Sequence, residues 1–325
     1  MRTVQQLGSL LLGIAALLPA SAPAQEFPTQ IVRIVVPYPA GGGVDGLARP
    51  IAERLSRAWN QTVIVENKSG ASTMIGGEFV ARSPADGHTL FFTSDSSITS
   101  NPHLFKKAAL DPIKNLAPVT KIMNLHQMVV VHPSVKANTM QELVELAKRE
   151  PKALNYGSYG TGSQPNLLFE TLKTKTGIQI LHVPFRGIAP ALTAAIANTV
   201  QMTLSGPATS RGYFEAGQLK PLAIGRQERL KDFPAVPTLR ETDYPEIEPR
   251  SWFGLFAPAN TPREIVNKIR NDVAAILYEP EFRERYIERM GYTGGGDTPE
   301  EFAKFIQADL AEKARMIAAA GIEPR

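Results

Sequence analysis

Cysteine is absent from the 325-residue chain, which excludes disulfide bonds, thiol nucleophiles and cysteine-held metals. The five histidines are dispersed. The nearest pair along the chain, His126 and His132, sits on a strand-like stretch about 20 Å long when extended, too far apart to share one ion. No metal and no cofactor are therefore expected. Basic clustering is missing too. Lysine and arginine total 35 against 31 acidic residues, but they are scattered rather than striped between aromatics, so no nucleic-acid partner is expected. The G-x-S-x-G elbow of serine hydrolases is not formed, because Ser158 follows Tyr156 by two positions and Ser163 precedes Pro165 by two. No nucleophile–base pair and no catalytic residue emerges. A membrane-spanning apolar run is lacking as well: the stretch Leu10 to Leu18 is too short to span a bilayer.

That short run does have a context. Arg2 precedes it, no acidic residue occurs in the first 24 positions, and Ala22-Pro23-Ala24 forms a small-x-small cleavage site. Together these describe a secretory leader over 1–24, which predicts that the mature protein is exported. The 301 residues left suit about two domains at ~100–200 residues each.

Apolar strand-like runs alternate with amphipathic helical segments along the mature chain. "IVRIVV" precedes a helix over Asp45–Ala58, and "TVIVE" precedes one over Ser72–Arg82; "TLFFT", "QMVVV", "ALNYG", "IQILHVP", "KPLAIG" and "FGLFA" follow. The alternation predicts parallel sheets covered by helices. Capping boxes are predicted at Thr139–Glu142, Thr261–Glu264 and Thr298–Glu301, the last two with proline at the first helical position.

Two glycine-rich loops interrupt this pattern. The first, Gly41-Gly42-Gly43-Val44-Asp45-Gly46, satisfies the dinucleotide fingerprint G-x-G-x-x-G between a strand and a helix, and Glu66 ends the next strand where a ribose-binding carboxylate belongs. Export argues against that use, since soluble nucleotide cofactors are pools of the cell interior. A small carboxylate is the better fit: a helix N-terminus offers unpaired N–H groups and about half a positive charge. Gly41, Gly42, Gly43 and Val44 can point donors inward, with Asp45 as the expected N-cap. The second loop, from Gly157 through Ser158, Tyr159, Gly160, Thr161, Gly162 and Ser163 to Gln164, adds hydroxyl and amide donors about 120 residues later. Two such loops suit two similar domains facing each other.

The blocks "FPTQIVRIVVPYPAGGGVDGLARPIAERL", "VIVENKSGASTMIGGEFVARSPADGHTL", "LNYGSYGTGSQPNLLFETL", "HVPFRGIAPALTAAIANTVQ" and "RQERLKDFPAVPTLRE" resemble, in order and spacing, the Bug family of extracytoplasmic binding proteins associated with tripartite tricarboxylate transporters. The likeness runs through essentially the whole mature chain. It implies a two-lobed α/β periplasmic binding protein of type II character, each lobe a mainly parallel sheet flanked by helices. Hinge motion would close the lobes on a ligand held in the cleft between them. It also implies a first clamp of Tyr38, Ala40, Gly41, Gly42 and Val44, and a second of Tyr159, Thr161, Gly162, Ser163 and Gln164, which Gly43 and Gly160 complete. Ser94, Ser96 and Arg186 are further expected wall residues. Two departures from the family pattern bear on the ligand. Val44 stands where many members have threonine, and Ser205 where members often have an aspartate able to pair with a ligand ammonium.

The expected organisation is thus a leader at 1–24, one lobe from 25–124 plus 246–325, and a second from 125–245, with crossings near "KIMNLHQ" and "YPEIEPRSW". The expected ligand is a di- or tricarboxylate, hydroxy acid or aromatic acid, captured by a monomer for uptake through membrane transporter subunits or for sensing. The rival readings are an exported hydrolase-like α/β enzyme and a dinucleotide-binding oxidoreductase.

Overall fold

The computed structural model describes residues 27–106, 110–185, 187–247 and 251–324. The leader expected at 1–24 and Arg186 both lie outside them.

Among the described residues, ten strands form two five-stranded sheets. The first collects β1 (Val32–Val36), β2 (Val63–Asn67), β3 (Thr89–Ser94), β4 (Leu116–Leu125) and, from much later in the chain, β10 (Ser251–Pro258). The second collects β5 (Met128–Val131), β6 (Asn155–Ser158), β7 (Leu181–Pro184), β8 (Met202–Ser205) and β9 (Lys220–Ile224). Strand order is β2-β1-β3-β10-β4 in one and β7-β6-β8-β5-β9 in the other. The two sheets repeat one plan. In each, the second strand of the order pairs in parallel with both neighbours, while the fourth runs antiparallel to both of its own. That fourth strand, β10 or β5, is the one whose chain has just arrived from the other sheet, so the crossings create the antiparallel half that strand–helix alternation does not reveal.

Helices cover both faces. Around the first sheet lie α1 (Gly43–Trp59), α2 (Met74–Ala81), the short α3 (Asn101–Leu104) and α4 (Pro112–Asn115). The second carries α5 (Met140–Arg149), α6 (Gln164–Thr176), α7 (Ile188–Ile196) and α8 (Pro207–Glu215). The chain then returns to the first sheet with α9 (Arg263–Tyr278), α10 (Pro280–Arg283) and α11 (Pro299–Ala319). In α1, Leu47, Ile51 and Leu55 recur at helical spacing and bury against Ile34, Leu90 and Phe92 of the strands. Each such side chain contributes roughly 1.5–3 kcal/mol of transfer free energy. On the opposite face, Trp252 and Phe256 of β10 pack with Phe302 and Ile306 of α11. β10 is buried along its whole length, as a central strand covered on both faces must be.

Helix starts follow the sequence in part. Thr298 and Glu301 form the reciprocal capping box of α11, with Pro299 at its first position. Thr139 caps α5 by accepting from the Glu142 amide, but the Glu142 carboxylate reaches the Asn138 amide instead of closing the box. At α9 the expectation fails: Pro262 occupies the N-cap, and the Thr261 hydroxyl turns back to the Pro258 carbonyl at 2.7 Å. β4, ten residues long, was not evident because Pro118 and Lys121 interrupt its apolar pattern. It is the edge strand of its sheet, where proline is tolerated.

Among the described residues the sheets meet along two seams. At one, Thr293, tied within the first lobe to Asn124 by backbone hydrogen bonds of 2.7 and 3.1 Å, meets His126 Nε2, while His126 Nδ1 meets the Gly225 carbonyl of the second, both contacts at 2.8 Å. Because a carbonyl only accepts, neutral His126 carries its proton on Nδ1 and receives the threonine hydroxyl on Nε2. At the other, Leu104 of α3, Leu167 of α6 and Met316 and Ile317 of α11 share a small apolar cluster.

Candidate functional site

Both glycine loops fall at the carboxyl ends of equivalent parallel strands, β1 and β6, and lead into α1 and α6. They are built alike. Gly41 has φ +82° and Gly162 φ +78°, and each donates its amide to the side chain four residues on: Gly41 to Asp45 Oδ2 at 2.9 Å, Gly162 to Asn166 Oδ1 at 2.8 Å. The next residue, Gly42 or Ser163, is the extended N-cap of the helix, with no side-chain cap bond of its own. Asp45 is therefore not the N-cap expected from sequence. It sits in the first turn of α1, buried, where it ties down the loop and also accepts from Arg49 and Asn67. Burial alone would raise its carboxyl pKa, but Arg49, the Gly41 amide and Asn67 outweigh that and hold it below the ordinary 3.8.

With Gly41 committed, the amides of Gly42, Gly43 and Val44 have no acceptor among the described residues. Ala40 and Gly41 to Gly43 are exposed, whereas Val44 turns its side chain into the core. Three successive N–H groups at the positive end of a 17-residue helix make a cradle for an oxyanion that needs no cationic side chain.

The second loop uses its groups differently. Gly160 donates to Ser158 Oγ at 3.0 Å, the Ser163 amide and hydroxyl both turn to the Gly160 carbonyl, and Pro165 has no N–H. Its backbone is largely spent on holding its own shape. What it presents outward are side chains. Thr161 is exposed, with its hydroxyl unpaired among the described residues, and Tyr159 Oη donates to Gln164 Oε1 at 3.1 Å and Gln127 Oε1 at 3.2 Å. The Tyr159 phenol is pushed well above its ordinary pKa by desolvation first, then by the field of Asp95.

Ser158 Oγ lies 2.6 Å from His182 Nε2, a contact with the geometry of a nucleophile–base pair that sequence spacing did not reveal. Ser158 is fully buried beneath the loop and already bonded to Gly160, so the pair anchors backbone and offers no accessible nucleophile.

The remaining expected residues distribute as follows. Tyr38 Oη meets Ser94 Oγ at 2.7 Å and reaches Thr93 and Ser97 at 3.4 Å, fastening the first loop to the exit of β3. Ser96 opens the widened helical turn after β3, half-buried, with its hydroxyl unpaired among the described residues. Between these serines, Asp95 is fully engaged with Lys313 Nζ at 3.1 Å and Ser251 Oγ at 2.9 Å. Ser205 is fully buried and accepts from Ser210 Oγ at 2.7 Å. Two residues not signalled by any motif lie near the second loop: Gln127, on the crossing between sheets, which accepts from Tyr159, and Tyr292, whose hydroxyl lies beside Gly206 of the β8–α8 turn. Only the fold brings these two there. Among the described residues no group of three or more metal-ligating side chains occurs, and no helix is long and apolar enough to cross a membrane.

Comparison with known proteins places this geometry. Residues 47–322 match the family model described as the tripartite tricarboxylate transporter family receptor. Protein BugT of Bordetella pertussis is 29% identical over 310 residues, covering 95% of this chain and 94% of BugT. Among solved structures, a Rhodopseudomonas palustris protein with adipate superposes with a TM-score of 0.85 at 33% identity, covering 92% of this chain and all of the other. MatC of the same organism, with bound malate, gives 0.79 at 26%, covering 90% and 100%. Proteins of this kind are periplasmic solute-binding receptors rather than enzymes. The chain belongs to the tripartite tricarboxylate transporter receptor family, as a two-lobed binding protein of the Bug type.

Proposed function

We propose that this chain is an exported receptor that captures a small carboxylate between its two glycine loops and delivers it to membrane subunits of a tripartite tricarboxylate-type transporter. The observation that carries the reading is the run of unspent amides at Gly42, Gly43 and Val44, in a cleft whose opposite loop offers Thr161 and Tyr159. Gly160, Gly162, Ser163 and Gln164 act by shaping that opposite loop. Tyr38, Ala40, Ser94 and Ser96 form the wall on the first lobe, and the family resemblance adds Arg186, outside the described residues, as a further wall residue. Relatives solved with adipate and malate support a dicarboxylate. The leader at 1–24 delivers the receptor to the periplasm, and the lobes, 25–124 plus 246–325 and 125–245, close on the ligand as a monomer.

The ligand carries no ammonium group. A buried ammonium needs a carboxylate partner, or several kcal/mol are lost. Ser205 supplies only a hydroxyl already bonded to Ser210, and Asp95 is held by Lys313 and Ser251. Titration calorimetry with succinate against aspartate, and with malate, tests this. Binding of the acids with weaker or absent binding of aspartate is expected; tighter aspartate binding overturns the ligand class, and no binding of any carboxylate overturns the receptor reading.

A further inference from the structure

The function just proposed accounts for one end of the ligand, and Tyr292 reaches from the first lobe to the second at the β8–α8 turn. Tyr292 follows α10 on the segment that Thr293 bonds to Asn124, so it is fixed to the first lobe, and its ring packs on that lobe's core. Its tip nevertheless crosses to the second lobe. The hydroxyl lies 3.9 Å from where a Cβ on Gly206 would be, and the neighbouring Gly291 abuts Pro207. Gly206 is the N-cap of α8, a nine-residue helix with no side-chain cap, and its Ala208 and Thr209 amides have no acceptor among the described residues. Ser205, which might have turned to these amides, is bonded to Ser210.

Two further facts concern the hydroxyl itself. It makes no hydrogen bond to any described residue, and desolvation alone moves its pKa above the ordinary 10.0. The ring is half-buried and its Oη still reaches solvent, so the donor stays open to a bound molecule. It lies near Tyr159: Gly206 follows Ser205, which pairs with Met128, and the adjoining Gln127 accepts from Tyr159 Oη at 3.2 Å. Tyr159 of the β6–α6 loop and Tyr292 of the segment after α10 are thus neighbours, and Tyr38 belongs to the β1–α1 loop that carries Gly42 to Val44.

We propose that Tyr292 is a specificity-determining residue: its hydroxyl donates to the far carboxylate of an extended dicarboxylate whose near carboxylate sits on the Gly42–Val44 amides. The proposal rests on the receptor reading above and narrows it to diacids over monoacids of equal length.

Tyr292→Phe deletes only the hydroxyl and leaves the ring to pack. Calorimetry with succinate, glutarate and adipate, each against the monoacid of the same chain length, supplies the test. The variant is expected to lose about tenfold in affinity for the best diacid, the size of one hydrogen bond to a charged group. Its affinity for the matched monoacid should change less than twofold, and its ligand-free melting temperature should stay that of the wild type. An equal loss for both ligand types, or none for the diacid, overturns the proposal. So does a wild-type protein that binds monoacids as tightly as diacids, an outcome that leaves the carboxylate receptor standing. Failure of the wild type to bind any acid removes the receptor reading itself.

Discussion

Gly41 and Gly162 occupy the left-handed backbone region, and each gives its amide to a side chain one helical turn ahead. Their surroundings differ. A side chain at Gly162 would run into Leu104 of the other lobe, whereas Gly42, at φ −76°, has only the Pro39 carbonyl at 3.5 Å from a built Cβ. Gly162→Ala is accordingly expected to lower stability by more than about 1 kcal/mol, from the unfavourable φ plus the displaced lobe contact. Gly42→Ala should cost less than about 0.5 kcal/mol. Thermal melts of the two variants side by side check this, and equal damage would contradict it.

At the scale of the element, α1 and α6 begin with the same device carried by different chemistry, a carboxylate at Asp45 and an amide at Asn166. Only the first responds to pH. The Asp45 pKa is held below 3.8 in the folded protein, so its stabilisation is fully present above the unfolded value near 3.8 and is lost as pH falls through the folded one. Asp45→Asn keeps an acceptor for the Gly41 amide but gives up the charge on Arg49. It is expected to be less stable than wild type by about 1 kcal/mol at pH 7, with the gap closing below pH 4. Denaturant titrations at pH 7 and pH 3 measure it, and a gap that widens on acidification would contradict the assignment.

In the whole molecule, the Asp95–Lys313 pair is the deepest electrostatic commitment. Both groups are buried, and Asp309 lies close by, bonded to Thr99 and Trp252. Desolvation drives the Asp95 pKa up; for Lys313 desolvation acts downward, but Asp95 and Asp309 overcome it and raise the pKa. The pair joins α11, the last helix, to the turn that holds Ser94 and Ser96, so the C-terminal segment supports that turn. Lys313→Met strands both carboxylates and is expected to cost about 3–5 kcal/mol at neutral pH, read as a lowered denaturation midpoint. The raised Asp95 pKa means that this penalty shrinks as acid protonates the carboxyl. A loss under 1 kcal/mol would show that the charges are screened.

The sequence by itself determined the two glycine loops, most strand and helix positions and the family, because these rest on local patterns: apolar periodicity, backbone permissiveness at glycine, and the ordered blocks around them. It did not show the antiparallel strands β5 and β10, since strand direction depends on where the chain enters a sheet. Nor did it show that the amides of Gly42 to Val44 stay free while those of the second loop are largely spent. That difference comes from Ser158 and Asn166, whose partners are set by loop conformation. Tyr292 and Gln127 carry no motif at all. Each reaches the second loop's surroundings because Asn124, His126 and Thr293 bring the crossing and the C-terminal segment together, a meeting between residues some 170 positions apart that only tertiary packing decides.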